Sequence, residues 1–391
     1  MATPASELTG ILARHRAALE IVTAVTEAHG ELKSSLRSVT SGHSSIALFV
    51  DPNLITTAYV THALDALSTG AVRGVFTDIH ENPCEADVLA AAAFLAPLNA
   101  DCVVAIGGGS TIDTAKMALL LAFGGGVPKD WWPVHRHDPV DAPQLYVYPA
   151  TAGTGSEVQS HALISDDKTH RKMAIGHERL APTEAILDVS LLASCPRIVM
   201  VLAGIDALSH ALESAVTRTA TDDSTAAAMD AFALIWPALV ELASQDAILT
   251  SPACQQLHAG ATLAGMAIEA SMLGAAHGCG NPLTARYGVV HGQAVSLMLP
   301  GVIKLNESDS RSAQIFSSIE LRCEIEPGTL ATAVKSLVQT LGLAGSLAEL
   351  GIVDAPVQEL SALAMEQWTC GHNPVPMTIE RCIELYKNVL Q

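Results

Sequence analysis

Residues 102–116 read CVVAIGGGSTIDTAK, and this stretch decides the fold class. The continuous apolar run Cys102–Ile106 is typical of a strand covered on both faces, and a helix is predicted to follow from Thr111. The three glycines between them allow a close backbone approach at a helix N-terminus, which suits a pyrophosphate. The run is not the G-x-G-x-x-G fingerprint, and a tight turn explains it as well. Its meaning therefore depends on the surrounding elements.

The rest of the first half alternates short apolar runs with helical patterns. Further strands are predicted at Ser45–Val50, Val72–Thr77 and Leu145–Tyr148, and helices at Leu54–Leu67, Glu85–Leu95 and Thr111–Phe123. This order is typical of a parallel sheet with helices on its faces. Ala17–Thr26 is compatible with either an edge strand or a helix. We expect a Rossmann-like α/β domain that binds a nucleotide.

After about Pro196 only helical patterns follow. They cover Ile198–Arg218, Ser224–Ala243, Ser251–Leu273, Val290–Lys304, Thr329–Leu341 and Thr378–Leu390. Proline resists helix continuation on its N-terminal side, so the boundary is placed at Cys195-Pro196. The prediction is a dinucleotide-binding α/β domain over residues 1–196 and an all-α domain over residues 197–391.

Composition restricts the partners. The formal net charge is −19, which argues against nucleic acid or an anionic membrane surface as a partner. The eight cysteines form no C-x-x-C pair, a pattern typical of a reducing compartment. The N-terminus shows no signal-peptide pattern, and we expect a cytoplasmic protein. The apolar composition, with 16% charged residues, favours a homodimer or a higher homo-oligomer.

One carboxylate and three imidazoles form the strongest chemical signal. Asp206 and His210 lie four residues apart in GIDALSHALE, so they share a helix face. His277 and His291 bracket a Gly/Pro-containing segment that is expected to fold back and bring them together. A lone helical histidine is more often a surface or core residue, but this set completes a divalent-metal site with one open position. Nitrogen and oxygen donors without thiolate suit Fe(II) or Zn(II).

Two further segments fit a nucleotide. Asp51 ends an early strand, where a carboxylate holds ribose hydroxyls and favours NAD over NADP, although Asp51-Pro52-Asn53 is equally good turn chemistry. Thr151 and Thr154, in PATAGTGSE, offer hydroxyl donors to phosphate or ribose; the alternative is a polar loop with a helix cap.

With these motifs the chain resembles the iron-containing (group III) alcohol dehydrogenase family, which shares its fold with dehydroquinate synthase and glycerol dehydrogenase. The motifs are GGGSTIDTAK, PATAGTGSEV, GIDALSHALE and HGCGNPLTARYGVVHG, in family order. The resemblance runs from about residue 45 to the C-terminal HNPVPMTIERCIELYKNVL. Four motifs together are far more specific than any one of them.

The resemblance implies residue roles. It implies metal ligands at Asp206, His210, His277 and His291, a pyrophosphate loop at Gly107, Gly108, Gly109 and Ser110, cofactor contacts at Asp113, Thr151, Thr154 and Lys172, and the carboxylate linked to NAD preference at Asp51. The chain departs from the family at Asn281, where a histidine near the nicotinamide is common, and at His161, where a smaller polar residue is usual. We treat both as candidate catalytic residues, with the hypothesis that His161 takes over part of the missing histidine's role.

The expected function is that of a metal-dependent, NAD(H)-linked alcohol dehydrogenase or aldehyde or ketone reductase. Hydride would pass between the nicotinamide and a small alcohol or carbonyl held at the metal. Alternatives within the family are a maleylacetate reductase or a hydroxyacid–oxoacid transhydrogenase. A catalytically silent nucleotide- or metal-binding relative is a further alternative, favoured by Asn281 alone.

Overall fold

The computed structural model describes residues 5–28, 30–67, 70–133, 138–168, 171–192, 194–244 and 252–391. The chain forms two compact units. The described residues of the sheet unit fall within Thr9–Thr151 and Gly155–Pro196. Those of the helical unit fall within Arg197–Gln391 and Ala152–Thr154 and include residues 5–8.

A six-stranded parallel sheet forms the centre of the sheet unit. The strands of this unit are β1 (Ala24–Glu27), β2 (Ile46–Val50), β3 (Val72–Phe76), β4 (Cys102–Gly107), β5 (Gln144–Pro149), β6 (His161–Ser165), β7 (Lys172–Gly176) and β8 (Glu184–Leu187). The order in the sheet is β1-β8-β5-β4-β2-β3, while β6 and β7 form a separate antiparallel pair. Every residue of β2 and β4 is buried, as expected for strands covered on both faces.

Helices flank the strands in sequence and make up the helical unit. In the first half they are α1 (Ala5–Ala18), α2 (Leu32–Val39), α3 (Ala58–Leu64), α4 (Glu85–Leu95), α5 (Gly109–Gly124) and α6 (Val189–Leu192). In the second half they are α7 (Arg197–Val216), α8 (Asp222–Leu242), α9 (Pro252–Ser271), α10 (Ala275–Tyr287), α11 (His291–Asn306), α12 (Ser310–Arg322), α13 (Leu330–Thr340), α14 (Val357–Met365) and α15 (Ile379–Lys387). The predicted fold class, a parallel α/β part followed by a helical part, is confirmed.

Two local predictions need correction at the start of the chain. The ambiguous segment Ala17–Thr26 contains both elements, because α1 ends at Ala18 and β1 begins at Ala24. The helix predicted from Leu54 begins only at Ala58, because the residues after Asp51 form turns and the Thr57 side chain caps α3 by accepting from Val60 N–H.

The segment between His277 and His291 brings the two rings together as expected, with centroids 5.3 Å apart, and most of it is helix α10. The chain turns only after Gly288, whose φ of +65° ends the helix. Gly278 serves packing: a Cβ there would lie 2.2 Å from Cys370 Sγ. His277 and His291 therefore lie on two successive helices.

Among the described residues, two helices, α7 and α8, are apolar and long enough to span a membrane by length and composition alone. In α7, 78% of the apolar window is buried within the protein, against 50% in α8. Packing in the helical unit therefore accounts for the apolar character of α7.

Candidate active site

The glycine run lies where β4 becomes α5. Gly107 ends the strand, Gly108 is the N-cap and α5 begins at Gly109. A Cβ at Gly107 would lie 2.2 Å from Thr111 Oγ1, and one at Gly108 would lie 3.2 Å from Thr151 Oγ1. Only glycine fits at Gly107, which leaves the N–H groups at the start of α5 accessible at close range.

Two other predicted cofactor residues lie at the same edge of the sheet. Asp51 follows β2 and its N–H donates to Ile106 O, while Ala150, the residue before Thr151, donates to Gly107 O. The Asp51 Oδ1 atom accepts from Asn53 N–H at 2.8 Å, so the turn reading of Asp51 is present in the structure. The carboxyl ends of β2, β4 and β5 meet here, the position where open parallel sheets bind ligands.

Asn82 links two of the predicted cofactor residues and was not predicted itself. Its N–H donates to Ser110 Oγ at 3.2 Å, and its Oδ1 accepts from Lys172 Nζ at 2.8 Å. Its φ of +55° lies in the left-handed region, which asparagine tolerates. The Asn82-Pro83 pair, a dipeptide typical of turns, is the sequence signal that could have indicated it.

Asp113 is buried and engaged by protein groups. Its Oδ1 accepts from Ser156 Oγ and its Oδ2 from Leu163 N–H at 3.0 Å. Burial raises its pKa, and the neighbouring Lys116 opposes this shift. The Lys116 ammonium donates to the carbonyl oxygens of Ser156, Gln159 and His161. This pair braces α5 against the segment that leads into β6, and a cofactor contact by Asp113 stays a prediction.

Asp206, His210 and His277 come together within the helical unit, and His291 approaches Asp206 from the start of the next helix. Asp206 and His210 lie one turn apart on α7, His277 lies in the first turn of α10, and His291 begins α11. The Asp206 Oδ1 atom is 3.5 Å from Nε2 of both His210 and His277 and 3.6 Å from Nε2 of His291. The Nε2 atoms of His210 and His277 are 3.1 Å apart. A tetrahedral ion with bonds of 2.0–2.1 Å would separate its ligand atoms by about 3.4 Å.

The outer partners of two imidazoles direct their lone pairs inward. His210 Nδ1 faces Gly153 O at 3.2 Å, and His277 Nδ1 faces Glu213 Oε2 at 2.7 Å. Both partners only accept, so each Nδ1 carries the proton and each Nε2 of a neutral ring carries a lone pair. Asp206 Oδ1 is buried and accepts no hydrogen bond from the described residues. When both rings are neutral, their converging lone pairs and the Asp206 carboxylate fit a bound cation.

Charges within the cluster shift its pKa values in the cation-free protein. Burial opposes ionisation of Asp206, but the neighbouring His210, His291 and His277 hold its pKa well below the ordinary range. Burial lowers the pKa of His210. Burial also acts to lower the pKa of His277, yet Asp206 and Glu213 outweigh it and raise that pKa to about 9. In the cation-free protein, His277 is therefore protonated at neutral pH, and its positive charge lies between the carboxylates of Asp206 and Glu213. A metal ion that binds to His277 must displace this proton.

The two candidate catalytic residues lie in different units. His161 begins β6 in the sheet unit and is half-buried. Asn281 lies on α10, one turn after His277, and its Nδ2 donates to Gln367 Oε1 at 3.1 Å. The hypothesis that His161 takes over part of the missing histidine's role stays a prediction. Thr154 lies in the short loop that belongs to the helical unit, next to the Gly153 carbonyl that faces His210.

Glu213 is a second residue at the candidate site that the sequence analysis missed. It is 3% exposed and lies on α7 three residues after His210. The spacing of Asp206, His210 and Glu213, at i, i+4 and i+7, is the signal that would have found it.

Comparisons with known proteins identify the family. A family model described as iron-containing alcohol dehydrogenase matches residues 23–189, and the model of the C-terminal part of the same family matches residues 200–390. The probable alcohol dehydrogenase EutG of Escherichia coli (strain K12) is 31% identical over 315 residues, covering 78% of this chain and 76% of its own length. The NAD-dependent methanol dehydrogenase of Bacillus methanolicus is 30% identical over 326 residues, covering 81% and 84%.

A solved structure shows the same fold. The crystal structure of sulfoacetaldehyde reductase from Bifidobacterium kashiwanohense in complex with NAD+ superposes with a TM-score of 0.85. The two chains are 24% identical, and the match covers 95% of this chain and 97% of the reductase. The family resemblance and the enzyme class predicted from the sequence motifs are confirmed: this chain belongs to the iron-containing alcohol dehydrogenase family.

Proposed function

We propose that the protein interconverts small alcohols and the corresponding aldehydes or ketones with NAD(H), at a divalent metal held by Asp206, His210, His277 and His291. The observation that carries this proposal is the convergence of Asp206 Oδ1 with three imidazole Nε2 atoms at 3.5–3.6 Å. A cation bound there would act as a Lewis acid toward an alcohol or carbonyl oxygen. The family name and the N/O donor set favour Fe(II), with Zn(II) as the alternative.

The residues around the cation control its surroundings. Asp206 supplies the negative charge, and His210 and His277 present neutral nitrogen donors fixed by Gly153 and Glu213. Three of the four donors are 3–5% exposed, which keeps bulk water away from one side of the site and strengthens electrostatic interactions there. The His291 side chain is 21% exposed, so the open position is expected on its side.

The carboxyl edge of the sheet is the proposed nucleotide site. The N-terminus of α5 would receive the pyrophosphate at Gly107–Ser110, with Thr151, Thr154 and Lys172 as further contacts. NAD(H) supplies the hydride chemistry. Asp51 would hold ribose hydroxyls and disfavour a 2′-phosphate, and the relative from Bacillus methanolicus, which is named as NAD-dependent, supports the same preference.

The proposed sites also suggest a domain assignment, a substrate class, a location and an oligomeric state. We propose residues 1–196 as the dinucleotide-binding domain and residues 197–391 as the metal-binding domain. Small alcohols are the proposed substrates because the relatives named above include a methanol dehydrogenase and a probable alcohol dehydrogenase. A cytoplasmic location and a homodimer or higher homo-oligomer are further proposals, the latter to be checked by light scattering coupled to gel filtration.

An activity assay tests the proposal directly. Protein purified without chelator and supplied with Fe(II) or Zn(II) is expected to reduce NAD+ with one or more members of a panel of short primary alcohols, and to oxidise NADH with the matching aldehydes. Chelator treatment should abolish turnover, and re-addition of the metal should restore it. Turnover that persists after the metal is removed would refute the metal role. Binding of NADH and metal without any turnover would instead support the silent relative.

A further inference from the structure

We propose that Glu213 is the positioning residue of the metal site: it fixes the tautomer and orientation of His277 and couples metal affinity to the N-terminal cap of α10. This inference rests on the proposed metal site and concerns a residue that lies outside the ligand set.

Glu213 contacts the Nδ1 atom of His277, on the side of the imidazole away from the proposed metal position. Its side chain is 2% exposed, and its Oε2 lies 2.7 Å from His277 Nδ1. A carboxylate offers only acceptors, so the proton of the neutral imidazole must sit on Nδ1. The lone pair then sits on Nε2, the atom that faces Asp206 Oδ1 and His210 Nε2. A histidine ligand with an outer carboxylate partner is both oriented and made more basic.

The same carboxylate caps helix α10. Its Oε1 accepts from the N–H of Ala276 at 2.6 Å, one of the N–H groups that a helix N-terminus leaves without an intrahelical partner. The N–H of Ala275 donates to Asn373 Oδ1 at 3.2 Å, so two side chains cap the first turn. A Cβ at Gly274 would lie 2.8 Å from Glu213 Oε1, so this residue must be glycine for the carboxylate to approach.

The Glu213 side chain therefore makes two contacts at once, one with the ligand imidazole and one with the start of α10. The His277 Nδ1–H and the Ala276 N–H both need an acceptor, and Glu213 provides one oxygen for each. Since His277 lies in the first turn of α10, one carboxylate holds both the helix start and the imidazole of the ligand. Asn281, the candidate catalytic residue, lies one turn further along the same helix.

Glu213→Gln is the sharpest perturbation, because glutamine keeps the shape but has one acceptor and one donor group. Its NH2 must face either Ala276 N–H, donor against donor, or His277 Nδ1, which would move the proton to Nε2 and block metal binding. We expect a 10- to 100-fold loss of metal affinity. Glu241→Gln, an exposed residue on α8, makes the same charge change and should leave the affinity unchanged.

Asn373→Ala separates positioning from capping. It removes the cap on Ala275 and leaves the Glu213–His277 contact in place. Both Glu213→Gln and Asn373→Ala should lower the thermal unfolding midpoint, but only Glu213→Gln should lower Zn(II) affinity in a chelator competition titration. Only Glu213→Gln should also change the visible absorption spectrum of the Co(II)-loaded protein. An equal loss of affinity in the two variants would reduce Glu213 to a helix cap and overturn the proposal.

A measurement on the unaltered protein stands independently of how the variants fold. In the Zn(II)-loaded protein, the ¹⁵N shifts of His277, assigned by comparison with His277→Gln, should show a protonated Nδ1 and a coordinated Nε2. A proton on Nε2 of His277 would overturn the inference. Failure of the wild-type protein to bind metal refutes the proposed site itself, whereas Zn(II) affinity unchanged by Glu213→Gln refutes only the role of Glu213.

Discussion

Replacing His258 by leucine is expected to reduce the sensitivity of the fold to acid. His258 lies on α9, is 2% exposed, and its Nε2 makes no hydrogen bond within the described residues. Burial lowers its pKa to about 4, whereas an unfolded histidine titrates near 6.5. Between these values the unfolded chain binds more protons than the folded protein. The stability therefore falls as the pH drops from about 6.5 to about 4 and is fully present above that window.

The size of this effect follows from the two pKa values. At 1.36 kcal/mol per pKa unit, the histidine costs about 3 kcal/mol below pH 4, of which about 2 kcal/mol develops between pH 7 and pH 5. Leucine has a similar volume and does not titrate, so the free energy of unfolding of His258→Leu should decline less over this range.

The assay is urea unfolding of the metal-free wild-type protein and of His258→Leu at pH 7, 6 and 5. Subtracting the two free energies of unfolding cancels the other titrating groups and leaves a constant packing offset. His258→Gln should show the same pH dependence with a different offset. A difference between wild type and variants that stays constant within about 0.5 kcal/mol from pH 7 to pH 5 would show that His258 is not held neutral by burial.

Three further predictions concern the proposed site. His277→Ala should lose bound metal and nearly all turnover while its NADH fluorescence titration stays like that of the wild type; retained turnover in chelator would contradict the ligand assignment. Zn(II) binding to the metal-free protein near pH 7.5 should release about one proton, because the pKa of His277 is about 9 before the metal displaces its proton. Calorimetry in buffers of different ionisation enthalpy measures the number of protons released. A binding enthalpy that is independent of the buffer would contradict the release. Gly107→Ala should weaken NADH binding by about ten-fold, because the added Cβ would lie 2.2 Å from Thr111 Oγ1 and overpacking costs about 1–3 kcal/mol. Gly10→Ala is the matched control, since a Cβ there has no neighbour within 4 Å. Equal NADH affinity in both variants would contradict a tight loop at Gly107.

The sequence allowed the parallel sheet and the metal cluster to be predicted because both rest on short, regular spacings. The strands β2 and β4 are continuous apolar runs, and the i, i+4 spacing of Asp206 and His210 places both side chains on one face of α7. The strands β6, β7 and β8 escaped prediction. Each has only four or five residues, too few to give a distinct periodicity.

What the sequence concealed is set by tertiary contacts. Gly278 and Pro282 favour a turn locally, yet they lie within α10, whose start is held by Glu213 and Asn373. Glycine at Gly278 is explained by the Cys370 sulfur that packs against it, a neighbour 92 residues further along the chain that no local pattern shows. The partners of Asp113 were hidden in the same way, because Ser156 and Leu163 lie 43 and 50 residues further along the chain.

The central claim is that Asp206 and three histidines hold one catalytic metal ion, and elemental analysis tests it most directly. Protein purified without chelator, with Fe, Zn, Mn, Co and Ni measured together, should contain about one Fe or Zn per chain, and Asp206→Asn prepared in parallel should contain almost none. A folded wild-type protein that carries none of these metals, and takes up none on reconstitution with Fe(II) or Zn(II), would contradict the account.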